Sequence, residues 1–211
     1  GVNEQGEALY YVDSELGEGV TNRPGTNRDA TTTNLNNATK YEQGSLLPKV
    51  YGGFGTSLSL YGVDVSLTFD YQLGGKIYDT QYAGLMSNIA DAGDAGSAIH
   101  VDALKAWTET NPNNDIPRMQ YGDQYTAGAS TRWLTSASYL NFQSFTIGYT
   151  LPKKWLSTLG VGKLRVYASG ENLCFWSARK GLDPRYSYSE NASVNVYSPV
   201  RTVMGGLQLT F

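Results

Sequence analysis

The chain has 211 residues with a formal net charge of -3 and a pI ≈ 5.2. That is long enough to bury a core, and its scattered basic residues leave no electrostatic footprint for nucleic acid. It is rich in aromatics and glycine (Tyr 16, Trp 4, Gly 24), carries no apolar run long enough for a transmembrane helix, and its single cysteine, Cys174, excludes a disulfide framework and a cysteine-cluster metal site. We read Cys174 as a packing residue. The chain opens in mid-stream at Gly1, without the charged start and apolar run of a signal peptide, as a piece of a longer protein would.

Residues 1–49 are dominated by Asn, Thr, Gly and Glu; only Ala8 to Val12 offers a strand-like patch, and Pro24-Gly25 marks a turn. This reads as a long exposed loop. Residues 50–78 then form two long strands about a tight turn at Gly62. In the second strand Val63, Val65, Leu67, Phe69, Tyr71, Leu73 and Ile77 share one face, and Asp64, Ser66, Thr68, Asp70, Gln72, Lys76 and Tyr78 the other. In the first, Val50, Phe54, Leu58 and Leu60 oppose Tyr51, Ser57, Ser59 and Tyr61. A tilted strand of about nine to eleven residues spans a bilayer, so alternation of this length fits a transmembrane β-barrel wall with its apolar side to lipid and its polar side to a watery lumen. A long hairpin of a soluble sandwich fits the same segment.

Residues 79–136 read as a second long loop with short helices at Ala83 to Ala90 and Ile99 to Trp107; Val101, Leu104 and Trp107 recur at helical spacing and suggest a small local core. Asp91, Asp94 and Asp102 do not have the spacing of an EF-hand loop, so we read a solvated acidic loop and no metal site. His100 is the only histidine; a nucleophilic triad or zinc site would need partners the chain hardly supplies, and we treat it as structural.

Residues 137–176 read as a second strand hairpin. Tyr139, Phe145, Ile147, Tyr149 and Leu151 fall on one face, with Leu140 and Phe142 out of phase, which a bulge or a packed lumen position would explain. A short connection with a helical turn at Pro152 to Leu156 leads to a strand from Lys163 to about Trp176, where Leu164, Val166, Ala168 and Gly170 oppose Lys163, Arg165, Tyr167, Ser169 and Glu171. The charges must face the lumen, because Arg or Lys facing lipid at mid-bilayer costs about 2–4 kcal/mol. Residues 177–198 read as a third polar loop and 199–211 as a last strand, whose apolar phase, Val203, Leu207, Leu209 and Phe211, ends on an aromatic suited to directing outer-membrane insertion. The expected fold is therefore all-β: about five antiparallel strands of a large barrel, with long loops on the outer side and short turns on the periplasmic side.

Several stretches resemble the SusC and RagA type of TonB-linked outer-membrane transporters of the Bacteroidetes. They include Gly52-Gly53-Phe54, Phe69 to Asp79, Trp107 with Asn111 to Arg118, and Ser136 to Leu140. Thr146 to Lys154, Leu164 to Leu173, Gly181-Leu182-Asp183-Pro184 and Pro199 to Phe211 continue the match in the same order. The resemblance implies the carboxy-terminal part of a plugged barrel that imports a bulky nutrient, a glycan or an oligopeptide, with no catalysis and no cofactor. It also implies as partners the remaining barrel and plug, a SusD-like surface lipoprotein, the TonB complex acting on the plug, and outer-membrane lipid. Loop aromatics Trp107, Trp133, Trp176, Tyr186 and Tyr188 are the candidates for ligand or lid contact, since aromatic faces suit sugar rings; each of them also fits as a belt anchor or in loop packing.

The rival readings are an autonomous small barrel or soluble β-sandwich that binds carbohydrate, and a hydrolase using Asp64 and Asp70. Six positions along one strand, at about 3.3 Å each, separate those carboxylates too far for paired acid–base work.

Overall fold

The computed structural model describes residues 1–16, 27–87, 96, 98–112, 115–123, 128–156, 160–186 and 199–211. The chain divides into two compact units, one of Gly1–Gly44 with Tyr78–Leu134 and one of Ser45–Ile77 with Thr135–Phe211.

The first unit contains a short ladder, β1 (Tyr10–Val12) with β2 (Ala30–Thr32), and one helix, α1 (Thr80–Ser87). The second contains the long strands β3 (Val50–Leu60), β4 (Val63–Leu73), β7 (Tyr139–Thr150), β8 (Lys163–Ser177) and β9 (Thr202–Thr210), with the short helix α2 (Lys153–Leu156) between β7 and β8. Two further short strands, β5 (Lys76–Tyr78) and β6 (Leu134–Ser136), pair with each other. The five long strands form one antiparallel sheet in the order β3-β4-β7-β8-β9. At nine to fifteen residues each, they have the length to cross a hydrocarbon layer at a tilt.

The register fixes the two faces. Across the sheet Leu58, Val65, Ile147, Ala168 and Gly205 form one row, and Leu60, Val63, Tyr149, Val166 and Leu207 the next. This face is not covered: Leu58 is 63% exposed, Leu207 67% and Val203 73%. An open apolar face running over five strands is far larger than a water-soluble surface tolerates. Aromatics sit at its two ends: Phe54, Phe69 and Phe142 stack at centroid distances of 5.0 and 4.6 Å, with Tyr71 and Trp176 one row further, while Tyr61, Tyr149 and Phe211 lie at the opposite end. Two girdles flanking an aliphatic band is the pattern of a lipid-facing barrel surface. Cys174 is exposed on this face opposite Phe142, not packed in an interior.

The phase break in β7 is a bulge. Phe142 pairs with Phe69 and Ser144 with Thr68, so Gln143 is the extra residue; β8 answers with Asn172 and Leu173 between Glu171 and Cys174. Leu140 and Phe142 thereby join Phe145 on the apolar face. Tyr139, expected on the same face as Phe145, lies instead on the polar face opposite Gln72 and Ser177.

All the short connections lie at one end of the sheet. Leu60 pairs with Val63, leaving Tyr61 and Gly62 as a two-residue turn in which both φ are positive (52° and 85°), the type I′ geometry that matches strand twist and that Gly62 adopts without strain. The 151–162 connection and Phe211 are at that same end, because Val63 pairs with Tyr149 and Lys163 with Thr210. The long segments leave from the other end, where Ile77, Ala137 and Leu182 make a small buried cluster.

The first unit is built largely where sequence periodicity shows loop, although the strand-like patch at Ala8 to Val12 holds β1 and the helix expected at Ala83 to Ala90 overlaps α1. Trp133, Met86, Val2, Ala8 and Pro117 are buried, and Arg118 donates from its backbone to Gly6 at 2.8 Å and from Nη1 to the Gln5 carbonyl at 2.9 Å. The expected helix at Ile99 to Trp107 is a 3-10 turn, Val101–Lys105, N-capped by His100, whose Nδ1 accepts the Asp102 amide. Val101 and Leu104 are 67% and 82% exposed, so the helical spacing there does not form the core expected. A 3-10 turn repeats every three residues and points i and i+3 the same way, here outward.

The two faces make a direct prediction. In the complete membrane protein, Ile147→Arg should destabilise the barrel by about 2–4 kcal/mol, and its neighbour Thr146→Arg by well under half of that. The check is the folded fraction by heat-dependent gel mobility after refolding into lipid. Equal tolerance of both substitutions would contradict a lipid-facing Ile147.

Candidate functional site

The candidate site is the polar face of the sheet with its rim at the loop end. Arg165 on β8 reaches across β7 to Asp64 on β4: Nε donates to Oδ1 at 3.0 Å and Nη2 to Oδ2. The crossing is possible because Gly148 lies beneath it, where an added Cβ would come within 2.6 Å of Nε. Tyr167 lies over Gly206 in the same way, where a Cβ would meet its ring at 2.6 Å, and Arg165 sits 5.1 Å from the Tyr167 centroid. Further along, Asn141 Nδ2 donates to Asp70 at 2.7 Å and Gln72 Nε2 to the Ala137 carbonyl at 3.1 Å. Asp64 and Asp70 thus each have a separate partner and do not act as a pair.

At the loop end the displaced Tyr139 stacks on Phe175, centroids 5.4 Å apart, and Arg185 lies 4.5 Å above the Phe175 ring. Asp183 holds Arg185, accepting from Nε at 2.9 Å and Nη2 at 2.6 Å. Ser177 Oγ closes the loop, its single proton within reach of the Leu182 carbonyl at 2.6 Å and the Arg179 carbonyl at 2.9 Å. The Gly170-Glu171-Asn172-Leu173 motif has a local reason: Leu173 folds over Gly170, where a Cβ would come within 2.8 Å of it, and Asn172 takes the left-handed φ of 51° that the bulge needs and that Asn tolerates.

The aromatic candidates separate. Trp176 is 52% exposed at the rim on the apolar side. Trp133 is 1% exposed, its indole N–H donating to the Gly128 carbonyl at 2.9 Å and its ring against Tyr82, so it packs the first unit's interior. Trp107 is half-buried against Gly6, where an added Cβ would run into its ring. Tyr186 ends a 3-10 turn, Pro184–Tyr186, and Tyr188 lies outside the described residues. Val203, Leu207, Leu209 and Phe211 all project on the apolar face, with Phe211 90% exposed. Sequence reasoning did not single out Arg185, Asn141 or the Arg165–Asp64 bridge. The first two depend on the bulge, and the bridge on a contact 101 positions apart in sequence.

Of the acidic loop residues, Asp102 is taken by Lys105 Nζ at 2.7 Å and Tyr82 Oη at 3.1 Å; Asp91 and Asp94 lie outside the described residues. The Lys105 hydrogen bond, helped by that from Tyr82 and by the charges of Lys105 and His100, holds the Asp102 carboxyl below its ordinary range.

Two predictions arise here. Gly148→Ala should push Arg165 off Asp64 and lower the barrel's unfolding temperature in detergent, as Arg165→Gln does. The double variant should be no worse than either single one, and additive losses would refute the coupling. Because its folded pKa is depressed, Asp102 stabilises its turn above the ordinary carboxylate pKa near ~4, and that contribution fades as pH falls through the lower folded value. Hydrogen exchange at the Ala106 amide, which donates to Ala103, should therefore lose protection on acidification in the wild type. In Asp102→Asn it should be weakly protected at every pH.

No family model matches the chain. Two curated proteins of Formosa agariphila, TonB-dependent receptor P3 and TonB-dependent receptor P26, are each 28% identical to it over 178 residues. The match covers 80% of this chain, and the chain spans only 17% of the length of those relatives. Among solved structures, the RagAB peptide transporter superposes with a TM-score of 0.73 at 25% identity, over 100% of this chain and 22% of that one. The RagAB peptide importer matches at 0.70 in its 'open-open' state and 0.73 in its 'closed-closed' state, both at 25% identity. Likeness in sequence and likeness in backbone converge on one architecture, and the chain is accordingly a homologue of the TonB-dependent receptors that resembles the SusC and RagA type in its partial barrel.

Proposed function

We propose that this chain forms a wall segment of an outer-membrane, TonB-dependent importer of a bulky nutrient. The observation that carries the reading is the uncovered apolar face, girdled by aromatics at both ends and backed by a polar, internally paired face. One face meets lipid and the other a lumen. The tight turns lie on the periplasmic side and residues 1–49, 79–136 and 177–198 on the outer side. In this reading Val203, Leu207, Leu209 and Phe211 of the last strand guide insertion. The loop aromatics Trp107, Tyr186 and Tyr188 meet substrate or lid, and Trp176, on the apolar side of β8, serves as a belt anchor. The rest of the barrel, a plug that TonB pulls, and a SusD-like lipoprotein over the outer mouth complete the machine. The homologues' names and the absence of any paired-carboxylate geometry at Asp64 and Asp70 support transport over bond-breaking. The RagAB likeness favours a peptide cargo, and the aromatic rim suits a glycan equally well.

The test compares cells carrying the complete transporter with cells in which residues 199–211 are removed from it. Uptake of fluorescent oligopeptides and oligosaccharides is followed with and without a protonophore. Accumulation that needs both the proton gradient and the terminal strand supports import and names the cargo class. Recovery of a natural protein consisting of this chain as a soluble, sugar-binding monomer would favour the autonomous-module reading and remove the import one.

A further inference from the structure

At the rim of the second unit a cavity of about 590 Å³ opens between the end of β8, the loop after it and the approach to β9. That volume is in the range of about 300–1,000 Å³ typical of small-molecule sites. Its lining is far from the chain's average charge. Arg179, Lys180, Arg185 and Arg201 face it against one carboxylate, Asp183, in a chain whose net charge is -3. Asp183 is already committed to Arg185. Among the described residues neither Lys180 nor Arg201 makes an ion pair, and both are exposed.

A second, independent observation lies in the wall. Asn141 lines the cavity and is 2% exposed. Its Nδ2 must face Asp70, because an ionised carboxylate only accepts hydrogen bonds. Its Oδ1 is then left buried and without a donor. A buried acceptor without a partner is an unmet desolvation cost that a hydroxyl donor would relieve. Phe175 also lines the cavity, as an apolar edge beneath Arg185.

We propose that this cavity binds a phosphorylated sugar. The phosphate sets its oxygens against Lys180, Arg201 and Arg179, a ring hydroxyl donates to Asn141 Oδ1, and the apolar side of the sugar packs against the edge of Phe175 that Arg185 leaves uncovered. Cationic groups around a tetrahedral oxyanion give charge-assisted hydrogen bonds, and neither a neutral sugar nor a cation satisfies both halves of the lining. The same chemistry is offered by a free sugar phosphate and by the phosphorylated sugar headgroup of a glycolipid in the surrounding leaflet. The site does not depend on import, so uptake can fail with binding intact.

The complete transporter, purified in detergent, is titrated calorimetrically with glucose 1-phosphate and, separately, with micelles of diphosphorylated lipid A. Glucose and dephosphorylated lipid A serve as the neutral counterparts. Binding of a phosphorylated probe and not of its neutral counterpart is expected. The Lys180→Gln/Arg201→Gln pair should weaken it by about tenfold or more. Lys153→Gln/Lys154→Gln, at the other end of the sheet, should leave it unchanged. Binding of glucose 1-phosphate assigns the site to a free ligand, and binding of lipid A alone assigns it to a membrane glycolipid. If neither probe binds, or if binding ignores the Lys180/Arg201 pair, the proposal is overturned.

Discussion

The backbone hydrogen-bond ladder is the constraint from which the rest follows. In hydrocarbon an N–H or C=O without a partner has no water to turn to, so a strand can lie there only between two others. β4, β7 and β8 meet that condition within the sheet, while β3 and β9 each have one neighbour and one open edge. A face as apolar as this one is therefore compatible with its surroundings only when further strands continue the ladder past β3 and β9. Five strands fall short of the ~8 with which the smallest barrels close. The same ladder sets the side-chain pattern, because pairing fixes the pleat and the pleat sends alternate residues to opposite solvents.

Alternation was legible in β4 because nothing interrupts it there: Val63 to Leu73 runs eleven residues in one phase. In β7 the residue types were equally plain, but their phase was not. A period of two carries no memory across an inserted residue, so one bulge at Gln143 reversed the assignment of everything before it. The consequence reaches beyond register. Reversal puts Leu140 and Phe142 with the lipid-facing aromatics and frees Tyr139 to stack with Phe175 beneath Arg185, so the rim's aromatic platform exists because of the bulge. The out-of-phase Leu140 and Phe142 were the available signal, and Asn172 in the facing strand, a residue type that accepts a left-handed φ, was its complement.

Of the first unit, only the strand patch at β1 and the helix at α1 were legible. Its order comes from side chains bonding to backbone: Asn3 Oδ1 accepts from Gln5 and Glu7, Asp13 from Glu15 and Asn27, and Asn34 from Asn36. Such turns leave no periodic trace. Its longer ties, such as Arg118 to Gln5 across 113 positions, cannot be inferred from either segment alone. Trp133 shows the cost: an aromatic in a polar stretch looks like a contact residue until its indole is found bonded inside.

The polar face has a character of its own. Its long side chains lie flat, Arg165 across Gly148 to Asp64 and Tyr167 across Gly206, and the rows between carry Ser66, Thr146, Ser169 and Thr68. A glycine in mid-strand gives up packing and costs backbone entropy, so two placed under the largest polar side chains need a compensating reason. Low relief supplies one. Side chains laid flat leave this face smooth, and the Arg165–Asp64 pair cancels its own charge within it. Lys180 and Arg201, which make no ion pair among the described residues, stand at the loop end. An anionic ligand bound there would meet these cations without disturbing the flat packing of the strand face.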